Sequence, residues 1–231
     1  VPATQVTTAT ANANRTWTHT VAVGASIAVV VLEGYDNSSA QAIANITRTV
    51  TFGGQAMTSQ GSIFVNNSTG SPWIEIFTLL NPPTGAQTVS VTVSRSTDGF
   101  ILGMQSRTYF NVSGVLAPGT AAGSVTGAGS ASVTYAPATA TPNDLVLVVG
   151  LNNSTTIFID YSIYAIIDII SAKGQLVPGH WQPAETSQAI SFHIPNSTSW
   201  AIMAMDLVYQ APKVSARNHV YNSAPMLRAA M

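Results

Sequence analysis

Residues 79–94 read Leu79-Leu80-Asn81-Pro82-Pro83-Thr84-Gly85-Ala86-Gln87-Thr88-Val89-Ser90-Val91-Thr92-Val93-Ser94. From Thr88 onward, hydroxyl residues and valines alternate one for one. That period of two sends the valines to one face of an extended strand and the hydroxyls to the other. The segment in front of it is turn chemistry, because proline fixes φ near about −65° and Gly85 tolerates positive φ. The same grammar runs outward in both directions. Runs rich in Val, Ile and Thr predict strands near 5–10, 15–23, 26–34, 47–52, 56–65, 72–80, 87–94, 99–110, 131–135, 144–151, 163–170, 186–194 and 199–209. Turns are expected at Gly53-Gly54, Asn66 to Pro72, Asn81 to Gly85, Ala117-Pro118-Gly119 and Pro142-Asn143-Asp144. The stretch 161–170 could place its apolar residues on one side of a helix, yet its Ile and Tyr content favours a strand.

Composition sets the class. The chain has 231 residues, of which 46% are hydrophobic and only 7% charged, and its net charge is −1. Disorder requires low hydrophobicity and high net charge, so a packed core is expected here. Ser, Thr, Asn, Ala and Gly stand where charges usually stand, which gives a neutral, hydroxyl-rich surface. So little charge protects a free monomer poorly from self-association and points to a protein that works inside an assembly or on a solid surface. There is no cysteine, hence no disulfide framework and no thiolate metal site. No apolar run reaches 18 residues, so no membrane span is expected. Val1 is followed by neither a charged nor an apolar leader, so a signal peptide is expected to be absent or already removed.

These signals predict an all-β chain, a two-sheet antiparallel β-sandwich of the jelly-roll kind, as a single domain over 15–209. Extended segments flank it at 1–14 and 210–231, the second a candidate assembly arm carrying Lys213, Arg217 and Arg228. Two parts of the chain also resemble each other. Ser26 to Leu32 followed by Tyr35-Asp36-Asn37 echoes Asp144 to Gly150 followed by Leu151-Asn152-Asn153, and Phe100 to Tyr109 echoes Trp200 to Tyr209. A duplicated Greek key, the unit from which jelly rolls are built, would leave such an echo.

Signals for chemistry are sparse. His19, His180, His193 and His219 lack the i, i+2 or i, i+4 spacing that puts two imidazoles on one face, so each reads as a surface or strand residue and no metal site is expected. There is no G-x-S-x-G elbow, no phosphate loop and no dinucleotide fingerprint, so no cofactor is expected. Eight basic residues spread along the chain leave no footprint for nucleic acid. Glycoside hydrolysis needs two facing carboxylates, for which the candidates include Asp36, Glu75, Asp98, Asp160, Asp168 and Glu185; Glu75, in Trp73-Ile74-Glu75-Ile76-Phe77, could point into a concave sheet, but its bland reading as a solvent-facing strand residue is stronger. No catalytic residue is assigned, and the chain is read as a non-enzyme. Tyr35, Asp36, Trp73 and Trp181 combine rings with polar groups and are candidate glycan-binding residues, although turn chemistry uses the same residues.

One pattern goes beyond composition. Trp17-Thr18-His19-Thr20, the apolar strand Ile27 to Leu32, Thr51-Phe52-Gly53-Gly54-Gln55-Ala56-Met57-Thr58, Ile74 to Gly85, Gln87 to Ser94 and Ser199-Trp200-Ala201 together resemble a jelly-roll domain of phage virion proteins. That domain occurs in tail, tail-tip and head-decoration proteins, with relatives in bacterial surface proteins. The resemblance covers roughly 15–209, and its most specific pieces are the aromatic-Gly-Gly-Gln-Ala-aliphatic-Thr and Leu-Leu-Asn-Pro-Pro-x-Gly segments. It implies location in the virion, other capsid or tail subunits as partners, a homo-oligomer with a trimer favoured, and attachment to a host surface. It implies no catalytic residues. A carbohydrate-binding or adhesin module on a bacterial surface is the alternative reading.

Overall fold

The computed structural model describes residues 3–9, 12–36, 46–64, 71–95, 100–125, 129–135, 145–152, 158–159, 179–181, 188–194 and 198–211, and every regular element among them is a β-strand. In chain order the first group is β1 (Ala3–Ala9), β2 (Asn12–Val21), β3 (Ala25–Asp36), β4 (Ile46–Phe52), β5 (Gln55–Ala56), β6 (Thr58–Phe64), β7 (Ser71–Leu80), β8 (Gly85–Arg95) and β9 (Phe100–Phe110). The second group is β10 (Val112–Val115), β11 (Gly119–Val125), β12 (Gly129–Tyr135), β13 (Leu145–Asn152), β14 (Phe158–Ile159), β15 (Gly179–Trp181), β16 (Gln188–Ile194) and β17 (Thr198–Tyr209). All pairings are antiparallel. One sheet runs β1-β9-β3-β7-β6 and a second β2-β8-β4-β5. A third runs β10-β17-β13-β15, with β11 also paired to β17, and a fourth runs β12-β16-β14.

Each sheet's sequence follows from what covers it. In β8, Val89, Val91 and Val93 are buried, and they alternate with hydroxyl residues on the outer face. The valines meet Ala28, Val30 and Leu32 of β3, Trp73 and Phe77 of β7, and Met104 of β9 in a core between the first two sheets. The remaining residues of β3 and β7, Ile27, Val29, Val31, Ile74 and Ile76, face the other way. They pack on Leu147 and Val149 of β13 and on Ala201, Met203, Met205 and Leu207 of β17. The first sheet is therefore covered on both sides, and residues 27–34, 72–78 and 103–107 are buried without a break. A strand in that position loses its polar alternation and becomes a continuous apolar run, which is what Ile27 to Leu32 is.

The two strand groups share one plan. β9 and β3 form the centre of the first sheet, with β1 beside β9 and β7 beside β3. β17 and β13 form the centre of the third, with β11 beside β17 and β15 beside β13. The companion sheets correspond as well, β2-β8-β4 against β12-β16-β14. The sequence echo falls on these central pairs: Ile27 pairs with Tyr109 across β3 and β9, and Leu145 pairs with Leu207 across β13 and β17.

Several local expectations meet the structure directly. Gly53 and Gly54 form the two-residue loop between the paired Phe52 and Gln55, with φ of 58° and 78°, the geometry whose twist suits a tight hairpin. Asn81 takes φ of 51° and its N–H donates to the Ser26 carbonyl at 2.7 Å, fixing the entry to β8. Segment 1–14 supplies β1, which pairs from Ala3 opposite Ser106 to Ala9 opposite Phe100, and the start of β2. Strands β10 and β11 were not expected, β10 because it is only four residues long and β11 because Gly, Ala and Ser carry little β preference; pairing to β17 supplies what the local sequence lacks. The expected strand 163–170 lies outside the described residues.

Gly34 is where the two faces of β3 meet a size limit. The Trp73 indole lies directly over it, so that a Cβ on residue 34 would fall inside the ring. Gly34→Ala is expected to destabilise the protein by about 1–3 kcal/mol through overpacking. Urea unfolding should show part of that loss restored in the double variant Gly34→Ala/Trp73→Leu, and additive losses would contradict this packing.

Candidate functional site

His19, Glu33, Glu75, Arg107 and Asp206 lie inside the molecule. Glu75 faces the core between the first two sheets, 2% exposed, and forms an ion pair with Arg48 reaching across from β4. Arg48 Nη2 also lies 3.4 Å from Glu75 Oε1, and the Ser59 hydroxyl donates to the same oxygen at 2.6 Å. The solvent-facing reading of Glu75 is corrected: β7 is covered on both faces, so neither of its faces is wet. Its oxygens are occupied by a cation and a hydroxyl, which leaves no free carboxylate for acid catalysis.

Glu33 lies on the opposite face of the first sheet, next to Gly103, whose missing side chain makes room for the carboxyl. It is 2% exposed, and neither carboxylate oxygen has a hydrogen-bond partner among the described residues. Burial pushes its pKa up to about 8, so the group is a neutral acid at physiological pH. Burial likewise pushes the Tyr109 hydroxyl up.

A third polar group crosses between the first two sheets. Trp17 Nε1 donates to Ser106 Oγ at 2.8 Å, the same oxygen lies 2.9 Å from His19 Nδ1, and His19 Nε2 is 3.4 Å from Thr108 Oγ1. Burial lowers the His19 pKa, so the neutral ring fits: Ser106 can donate to Nδ1 while Nε2–H points to Thr108. His19 is thus a fully buried strand residue, not a surface one. The sequence signal for this chain was there in Trp17-Thr18-His19, whose i, i+2 spacing puts both rings on one strand face.

Of the residues singled out for glycan binding, Trp73 is the one whose side chain is described. Trp73 is 0% exposed beneath Gly34, so its ring cannot stack on a sugar, a correction that follows from the first sheet being covered on that side. Tyr35 and Asp36 end β3, paired to Pro72 and Ser71, and Trp181 ends β15, paired to Val146. Lys213, Arg217 and Arg228 lie outside the described residues. Among the described residues no group of three His, Asp or Glu side chains could hold a metal.

The described arrangement couples folding to pH. Between about 4.5 and about 8 the Glu33 carboxyl is ionised in the unfolded chain and protonated in the folded one. Stability is therefore fully present below that window and falls as pH rises through it, by roughly 1.4 kcal/mol per pH unit. His19 acts oppositely, losing stability as pH drops below its ordinary value of 6.5. Urea unfolding across pH 4 to 9 should show the alkaline fall, and Glu33→Gln should flatten it; an unchanged slope would rule Glu33 out as its source. Arg48→Met should cost about 3 kcal/mol because it strands the buried Glu75 carboxylate, and Arg48→Met/Glu75→Leu should recover most of that. Comparison of the chain with protein-family models, with curated proteins and with solved structures finds no match.

Proposed function

We propose that this chain is a structural subunit of a phage virion, part of the capsid decoration or the tail tip, acting by assembly with other virion subunits and by attachment to a host surface. The observation that carries this reading is the character of the exterior. Among residues with described side chains, none of the exposed ones is charged, and Glu33, Glu75, Arg107 and Asp206 are all buried. A freely diffusing domain keeps itself apart with surface charge. An uncharged, strand-built exterior suits a subunit whose surfaces are covered by neighbours.

The strand orders support reading each half of the chain as a jelly roll. Orders β1-β9-β3-β7 and β2-β8-β4-β5 interleave early and late strands, as two nested Greek keys do. The second half repeats the interleaving with β11-β17-β13-β15 and β12-β16-β14. Stacked sandwiches without disulfides give a stiff spacer whose edges and loop ends are available for contact. The adhesin reading draws support from the same neutral exterior, but it loses Trp73 as a contact residue.

Light scattering on the purified chain, with and without residues 210–231, tests the proposal. The expected result is a trimer that dissociates when the segment carrying Lys213, Arg217 and Arg228 is removed. A monomer in both forms would overturn it in favour of a freestanding binding module.

A further inference from the structure

Among the described residues, the large hydrophobic side chains that stay exposed are Val23, Leu80, Phe110 and Tyr209, from 36% for Tyr209 to 88% for Val23. Single exposed apolar side chains are ordinary on a protein surface, but a group of them in one place marks a contact. These four share one end of the molecule. Phe110 ends β9 and pairs with Ala25 at the start of β3, and Leu80 ends β7 opposite Ile27, two residues further along β3. The Phe110 ring lies beside Gly24, 3.8 Å from where a Cβ there would stand, so it adjoins Val23 in the turn between β2 and β3. Tyr209 ends β17 opposite Val112, two residues past Phe110. Ala22, Asn81, Asn111, Gln210 and Ala211 are exposed around them and carry no charge.

The chain itself supplies a cover. It leaves β17 at this end: Gln210 N–H donates to the Asn111 carbonyl at 2.7 Å, which sets Ala211 beside the apolar group. The residues that follow carry Lys213, Arg217 and His219 first, and then Val220 to Leu227, eight residues without a charge that include Tyr221 and Met226. Covering an apolar group with cations would strip them of water, so the stretch 220–227 is the part that fits. The molecule already contains a contact of this kind. Past β9 the chain crosses to the other strand group, where Val112 pairs with Tyr209 and enters the core against β17. Pro212 stands three residues past Tyr209, as Val112 stands three past Tyr109, and it has no N–H with which to repeat that pairing. From Ala211 to Val220 is nine residues. Extended, they span up to about 30 Å, far more than a return to the adjacent Phe110 requires and enough to reach the same end of a second copy. Because the departure point and the apolar group share one end, copies exchanging this segment can close into a ring.

We propose that the apolar end formed by Val23, Leu80, Phe110 and Tyr209 is the seat for residues 220–227 of a neighbouring copy, each copy giving its segment to the next. This deepens the assembly reading above and rests on it: it names the surface and the occupant that hold the copies together. Burial of apolar area supplies the affinity, with Tyr221 and Leu227 the largest contributors.

The chain has no cysteine, so introduced thiols report single positions. The full-length double variant Val23→Cys/Tyr221→Cys, treated with a short bismaleimide and run on a denaturing gel, should give covalent dimers and trimers. Thr92→Cys/Tyr221→Cys, with its first thiol on the exposed outer face of β8, should stay at the monomer mass. Light scattering gives the mass of each protein before linking. Tyr221→Ser/Leu227→Ser, which changes no residue of the described fold, should weaken association by roughly a hundredfold. A link confined within one chain would put the segment on its own copy and overturn the proposal. So would dimers from Val23→Cys alone at the same yield, which would set two apolar ends face to face. A trimer that gives no 23–221 link sinks this inference and leaves the assembly reading standing; a monomer sinks both.

Discussion

The structure depends on one constraint, the burial of a single sheet on both of its faces. β3, β7 and β9 contribute unbroken buried stretches, with one core formed against the second sheet and another against β13 and β17. A sheet in this position gains apolar burial twice, at roughly 25 cal/mol for each Å² removed from water. It also loses the freedom to carry any unpaired polar group. Every side chain on it must be apolar, absent, or matched. Gly34 and Gly103 are the absent ones, Glu75 is matched by Arg48, and Glu33 answers the constraint by keeping its proton.

This explains where charge resides in the molecule. Most proteins put their few buried charges at sites of chemistry and spread the rest over the surface. Here no exposed residue with a described side chain is charged, and buried polar groups serve inside as fasteners between layers. Arg48 and Glu75 join the first two sheets, and the Trp17–Ser106–His19 chain joins them again nearby. Such groups specify how layers register, because a shift of one residue would leave each of them unsatisfied. The exterior is then free to be uniform.

Much of this was legible in the residues. Alternation in Gln87 to Ser94 gave a strand with one wet face, Gly53-Gly54 gave the hairpin between β4 and β5, and the likeness of 26–32 to 144–150 marked the central strands of two groups. What the likeness could not convey was that each half builds its own pair of sheets, since strand order is a long-range property. Glu75 illustrates the limit for sites. In Trp73-Ile74-Glu75-Ile76-Phe77 its neighbours are apolar on both parities, a sign of coverage on both faces, but nothing local names Arg48, 27 positions earlier, as its partner. Glycine-poor, apolar strands announce themselves; the four-residue β10 and the Gly- and Ala-rich β11 exist because β17 offers them an edge.

The junction between the two strand groups concentrates several bonds at one point. Ser26 Oγ donates to the Tyr109 carbonyl at 3.2 Å and accepts from Val112 N–H at 2.7 Å, so it spans the end of β9 and the start of β10. At the turn between them Asn111 takes φ of 57°, and its carbonyl accepts from Gln210 N–H at 2.7 Å. The chain thus enters the second group and leaves its last strand within one hydrogen bond of the same residue. A pull on Gln210 along the strand axis would load the ladders on both edges of β17 in shear, all at once, and pass through Asn111 and Ser26 into the centre of the first sheet. Tension applied beyond Tyr209 therefore reaches the doubly covered sheet through two hydrogen-bonded residues as well as spreading into the ladders of β17.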